Sequence, residues 1–192
     1  MIRIAIFASG AGSNAQKIID RFRNHVRIKV GLIVCNKVGA GVLTIADKEN
    51  IPILIIEKEA FFRGNAYLPE LKEQDIEFIV LAGFLWKIPQ PLISAYRNAI
   101  INLHPALLPA DGGKGMYGLN VHQAVIDARE AVSGITIHYV DEHYDNGDII
   151  FQAGCPVSSA DKPENLANKI HQLEHIHYPR VIEEVINLQN RS

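Results

Sequence analysis

Five short, almost unbroken apolar runs alternate with longer stretches of helical pattern, and this constrains the fold more than any other feature of the chain. The runs are "IRIAIFA" (2–8), "RIKVGLIVC" (27–35), "IPILIIE" (51–57), "EFIVLAGF" (77–84) and "AIINLHP" (99–105). Strands with one wet face alternate apolar and polar residues; strands covered on both faces read as continuous Val/Ile/Leu. The helical stretches between them, 13–23, 41–49, 66–74 and 90–97, return the chain to the same end of a sheet, which makes neighbouring strands parallel. The expected fold is α/β: a mostly parallel twisted sheet with helices on both faces.

Beyond residue 106 the pattern changes. "LLPADGGKGMYG" is a loop rich in Gly and Pro, followed by a helix near 121–129. "GITIHYV" (134–140) and "DIIFQAGCPV" (148–157) then read as two strands joined by a turn, an antiparallel addition near the C-terminal part. A long helix closes the chain, with Asp161 as its expected N-cap and Pro179 expected to bend or interrupt it. No repeat or linker divides residues 1–192, so a single domain is expected.

Composition narrows the function classes. A net charge of −2 argues against a general nucleic-acid binder. Cys35 and Cys155 lack metal-type spacing, and two cysteines in 192 residues suggest a reducing compartment. The apolar N-terminus is too short for a signal peptide, and no run approaches the roughly 18 residues of a membrane span. A cytoplasmic protein is expected.

Three clusters carry chemistry. "ASGAGSNAQ" follows the first strand and opens the first helix; Gly10, Gly12 and Ala15 fit G-x-G-x-x-G/A. A helix N-terminus offers N–H groups and a partial positive charge to an anion, to which Ser13 and Asn14 can add side-chain bonds. The plain alternative is a tight turn capped by Ser13 or Asn14. No acidic residue stands about 20 positions on to hold a dinucleotide ribose, where the chain has Asn36 and Lys37. A phosphate without an adenosine tail fits better.

Asn102 and His104 end an apolar strand two positions apart and so share a face. An amide can donate to an oxyanion and an imidazole can exchange a proton near neutrality. Asp145, after a later strand, is either the first residue of a D-N-G turn or a carboxylate facing His104. Finally, His171, Glu174 and His175 read H-x-x-E-H, an inverted zinc-protease order. Without a distal acidic ligand the plainer reading is a polar helix face, and no metal is expected.

In their order and spacing, "SGAGSN", "VLAGF", "INLHPALLP", "GITIHYVDEHYDNGDIIFQ" and "LEHIHYP" make the chain resemble the phosphoribosylglycinamide formyltransferases, folate-dependent enzymes of purine synthesis and one-carbon metabolism. The resemblance covers nearly the whole chain and implies a Rossmann-like formyltransferase fold. It implies that Gly12, Ser13 and Asn14 bind the phosphate of glycinamide ribonucleotide and that Glu174 lies near its ribose. Leu85, Trp86, Lys87 and Ile88, with Asn102 and a displaced Arg63, would meet 10-formyltetrahydrofolate as co-substrate. Asn102 would touch the formyl donor, His104 would be the proton donor and Asp145 would tune it. The family often has Arg at the place of Trp86, so folate contacts there would rely more on main chain. Lys114, on the long loop, would reach an anion or be solvated.

The partners implied are these two small molecules, with homodimerisation open and neither nucleic acid nor membrane expected. Three alternatives stand beside this reading. A 10-formyltetrahydrofolate hydrolase would usually carry an additional N-terminal domain, whereas the catalytic pattern here starts at residue 2. A methionyl-tRNA formyltransferase would need a further C-terminal domain. From another class, a non-catalytic NADP-binding module would use Lys37 as its phosphate partner.

Overall fold

The computed structural model describes residues 1–110, 112–113 and 115–189; Lys114 lies outside the described residues. The chain forms two compact units, Met1–Ile101 and Asn102–Ser192.

The first unit contains β1 (Ile2–Ala8), α1 (Ser13–Phe22), β2 (Ile28–Cys35), α2 (Gly41–Lys48), β3 (Ile53–Ile55), α3 (Lys58–Phe62), α4 (Leu68–Glu73), β4 (Ile76–Leu81) and α5 (Gln90–Ala95). The strand β5 (Ile100–His104) straddles the division. The second unit continues with α6 (Leu119–Asp127), β6 (Val132–Tyr139), β7 (Ile149–Pro156) and α7 (Pro163–Gln189). The strands belong to one seven-stranded sheet in the order β3-β2-β1-β4-β5-β6-β7.

The parallel expectation holds where apolar runs are continuous: β1 pairs parallel with both β2 and β4, and β2 with β3. From Ile4 to Ala8 every residue of β1 is buried, as a central strand covered on both faces requires. α1 buries Ala15, Ile18, Ile19 and Phe22, the i, i+3, i+4, i+7 stripe of an amphipathic helix. Each Ile or Phe so buried contributes roughly 1.5–3 kcal/mol relative to exposure. The antiparallel addition is β6 with β7, in which Thr136 faces Gln152. β7 is the last strand in the sheet order, and its residues are exposed or half-buried.

One element was not expected from the sequence, and three local expectations differ from the structure. The helix α3 falls within 51–66, where five residues offer too short a period to read. α1 is capped by Gly12, in the left-handed conformation, rather than by Ser13 or Asn14, which are its first two helical residues. α7 runs through Pro179 without interruption. Pro179 is buried along with Tyr178, Val181 and Ile182, so apolar packing outweighs the missing backbone hydrogen bond. The Asp161 carboxylate accepts the Ser158 N–H at 2.8 Å and bonds Lys169, tying down the approach to α7 rather than its first turn.

Candidate active site

In the second unit, alternation along β5 puts Asn102 and His104 on one face, His104 only 3% exposed. The adjacent element β6 carries the same signature: Thr136 and His138, two apart and both buried among Ile135 and Ile137. After β6 the chain turns sharply. Asp141 takes the turn-building role, its carboxylate accepting from the His143 N–H and from Asn146 Nδ2. Asp145 sits in the left-handed region at φ 51, which a short polar side chain tolerates best. Gly147 permits the return: a Cβ there would stand 1.8 Å from the Tyr139 carbonyl oxygen. The Tyr139 N–H donates to the Asp148 carbonyl at 2.9 Å and closes the turn.

This turn brings Asp145 to both strands. Its Oδ2 lies 3.6 Å from His104 Nδ1 and accepts the Gly113 N–H at 2.9 Å. Its Oδ1 lies 3.6 Å from His138 Nε2 and 3.4 Å from Asn102 Nδ2. Burial alone would push the Asp145 carboxyl up. The hydrogen bond with His138, the charge of His104 and the Gly113 N–H together outweigh burial and hold it below the ordinary carboxylate range. Asp145 is therefore a fixed negative charge at neutral pH.

His138 joins the cluster from β6. Its Nδ1 is 2.8 Å from the Tyr139 carbonyl, which can only accept, so Nδ1 carries the proton. Its Nε2 stands 3.1 Å from Asn102 Nδ2 and 3.6 Å from Asp145 Oδ1. Asn102 Nδ2 also makes a longer contact, 3.4 Å, with Asp145 Oδ1, and that N–H is the one a developing oxyanion can take over. His138 and the Gly113 amide went unrecognised in the sequence. The signal for His138 was present, a polar i, i+2 pair at a strand end as at Asn102 and His104. A backbone amide leaves no sequence signal.

His122 on α6 is a further buried group, 3% exposed, and its Nδ1 has no hydrogen-bond partner. Burial first, then the charges of His171 and His104, lower its pKa to about 4. On α7, Glu174 is buried, while the His171 and His175 rings stack with centroids 6.3 Å apart. Burial and the Glu174 charge hold the Tyr178 phenol well above its ordinary range. Among the described residues no three His, Cys, Asp or Glu side chains could hold a metal ion. No described helix is long and apolar enough to cross a membrane.

In the first unit the glycine loop is held from below. The Val42 N–H donates to the Gly10 carbonyl, and a Cβ on Gly12 would stand 2.9 Å from Val42 Cα and Ile45 Cδ1 at φ 84. Gly12 thus fits both a close approach and a left-handed turn, leaving the first turn of α1 to present its N–H groups and dipole. Gly10 meets neither requirement. Ser9 Oγ accepts the Leu85 N–H at 3.0 Å, joining this loop to the segment after β4. There Trp86 packs with Phe61, Phe62 and Phe84 at 5.7, 5.8 and 6.2 Å between centroids. Leu85 is half exposed, Lys87 exposed and Ile88 buried, so Ile88 offers a ligand mainly backbone. Arg63 is exposed at the end of α3.

Residues 2–182 match the family described as formyl transferase. A chloroplastic phosphoribosylglycinamide formyltransferase of Arabidopsis thaliana is 39% identical over 94% of this chain, which spans 64% of that relative's length. A phosphoribosylglycinamide formyltransferase of Bacillus subtilis is 37% identical over 100% of this chain and 98% of its own. The crystal structure of phosphoribosylglycinamide formyltransferase from Bacillus halodurans superposes with a TM-score of 0.87 at 36% identity, covering 96% of this chain and 95% of that one.

Proposed function

The chain belongs to the formyl transferase family, and on that premise we propose that it transfers a formyl group from 10-formyltetrahydrofolate to the amine of glycinamide ribonucleotide, as one formyltransferase domain. The observation that carries the proposal is the convergence of Asn102, His104 and Asp145 within one unit. A pair of proton-handling groups beside an amide donor suits acyl transfer by direct attack, with no covalent enzyme intermediate.

Each residue has a role in this reading. The Gly12, Ser13 and Asn14 turn holds the ribonucleotide phosphate, and Glu174 receives ribose hydroxyls. Leu85, Trp86, Lys87 and Ile88 contact the folate, with Arg63 and Asn102. As the amine attacks the formyl carbon, Asn102 Nδ2 and protonated His104 stabilise the oxyanion; one such donor is typically worth about 3–4 kcal/mol. His104 keeps Nε2 for proton transfer because Nδ1 faces Asp145. Asp145 balances the imidazolium charge and, directly or through water, assists the relay of the proton the amine loses. Holding two substrates together supplies much of the remaining rate.

The test is an assay of the purified chain with 10-formyltetrahydrofolate, followed by absorbance of the deformylated folate. Release that requires the ribonucleotide amine supports transfer. Release with water alone would make the chain a hydrolase, and no release in either case would overturn the reading. A size measurement of the same sample reports whether it forms the homodimer.

A further inference from the structure

Thr136 lies within β6 with no exposed surface, and its hydroxyl has every hydrogen-bonding position in use. The hydroxyl donates to the Ala106 carbonyl at 2.7 Å. It accepts the Leu108 N–H at 2.9 Å and Gln152 Nε2 at 2.9 Å. Gln152, directly opposite in the β6–β7 register, sends its other N–H to the Leu108 carbonyl at 3.0 Å. Three main-chain groups of the segment 106–108 therefore end on two side chains of neighbouring strands rather than in a backbone ladder.

That segment joins the two ends of the site. It starts one residue after the His104–Pro105 exit of β5 and runs on toward Gly112 and Gly113. Leu108 packs over Gly112, where an added Cβ would meet it at 2.6 Å. The Gly113 N–H reaches Asp145 Oδ2, the oxygen that also faces His104.

We infer that Thr136 and Gln152 are positioning residues for the formyl-transfer site: through the backbone of 106–108 they hold His104 at one end and the Gly113 amide at the other, both against Asp145. This rests on the formyltransferase reading and goes beyond it, since neither side chain touches the reacting atoms. A buried carbonyl and N–H left unpaired cost more than the bond they replace is worth, so the segment would move to find other partners. A shift of about 1 Å at a catalytic group is enough to lower the rate.

The experiment compares wild type, Thr136→Val, Thr136→Ser and Gln152→Met in the formyl-transfer assay, with folding checked at the assay temperature by circular dichroism. Thr136→Val keeps shape and removes the hydroxyl; kcat should fall about tenfold, with KM for both substrates within about twofold. Thr136→Ser restores the hydroxyl and should bring kcat back to within about threefold of wild type. Gln152→Met, on the exposed strand β7, removes two of the bonds and should lower kcat about threefold with KM unmoved, even if Thr136→Val does not fold. A wild-type chain without transfer activity would overturn the functional reading itself. With an active wild type, folded variants that keep wild-type kcat, or lose kcat and KM together without rescue by serine, overturn the positioning role.

Discussion

His104 Nδ1 and Asp145 Oδ2 stand 3.6 Å apart, brought together by a strand end and a left-handed turn from distant parts of the sequence. The Asp145 carboxylate serves four neighbours at once: His104, His138, Asn102 and the Gly113 N–H. A group so placed is sensitive to a change of one atom.

Asp145→Asn makes that change. The new amide nitrogen must face a donor, either the Gly113 N–H or Asn102 Nδ2, and the negative charge is gone. We expect kcat to fall roughly 10²–10⁴-fold, with KM for the ribonucleotide within about threefold. Steady-state kinetics with both substrates varied checks this; near-normal turnover removes Asp145 from the mechanism.

His122 makes stability depend on pH. In the folded chain its pKa is about 4, against 6.5 for the ordinary imidazole. Between these values the unfolded chain binds the extra proton and the folded chain does not, so stability falls as pH drops from 6.5 toward 4. At 1.36 kcal/mol per pKa unit the contribution is at most about 3 kcal/mol. Urea denaturation at pH 7 and pH 4.5 should show a smaller acid loss in His122→Leu than in wild type. Equal losses would mean the imidazole is charged in the fold.

Gly12→Ala tests the phosphate turn. Its Cβ meets Val42 and Ile45 at 2.9 Å, and its φ of 84 strains any L side chain. The variant should lose roughly 1–3 kcal/mol of stability and bind the ribonucleotide more weakly. Thermal denaturation and calorimetric titration report the two effects separately, and undiminished affinity in a folded variant would take the turn out of the binding site.

Gly147→Ala acts on the other unit. A Cβ 1.8 Å from the Tyr139 carbonyl must displace the turn, and Asp145 with it. Transfer should fall at least about tenfold while ribonucleotide binding at the α1 turn persists. If kcat stays normal, the Asp145 position is not coupled to that turn.

Much of this molecule was readable along the chain. The apolar runs of β1, β2 and β4 announced parallel pairing because strands buried on both faces admit few polar residues. The Asn102–His104 pair stood out because a strand end with two polar residues on one face has little packing reason to exist. α3 did not stand out, since five residues give no period, and Pro179 misled because local backbone cost is only one term against burial of a long helix face. His138 was overlooked although it repeats the pattern of His104 one strand away.

Periodicity thus specified the elements, the quoted motifs in their order carried the family resemblance, and residue type at the strand ends marked the groups able to carry acid–base chemistry, because these depend on side-chain type and near neighbours. The meeting of Asp145 with His104, the approach of His138 to Asn102 and the clasp of Thr136 on residues 106–108 came from the fold, because each depends on distances of about 3 Å between atoms remote in the chain. Such distances follow from how the strands register and how the turns close, and no local pattern encodes them.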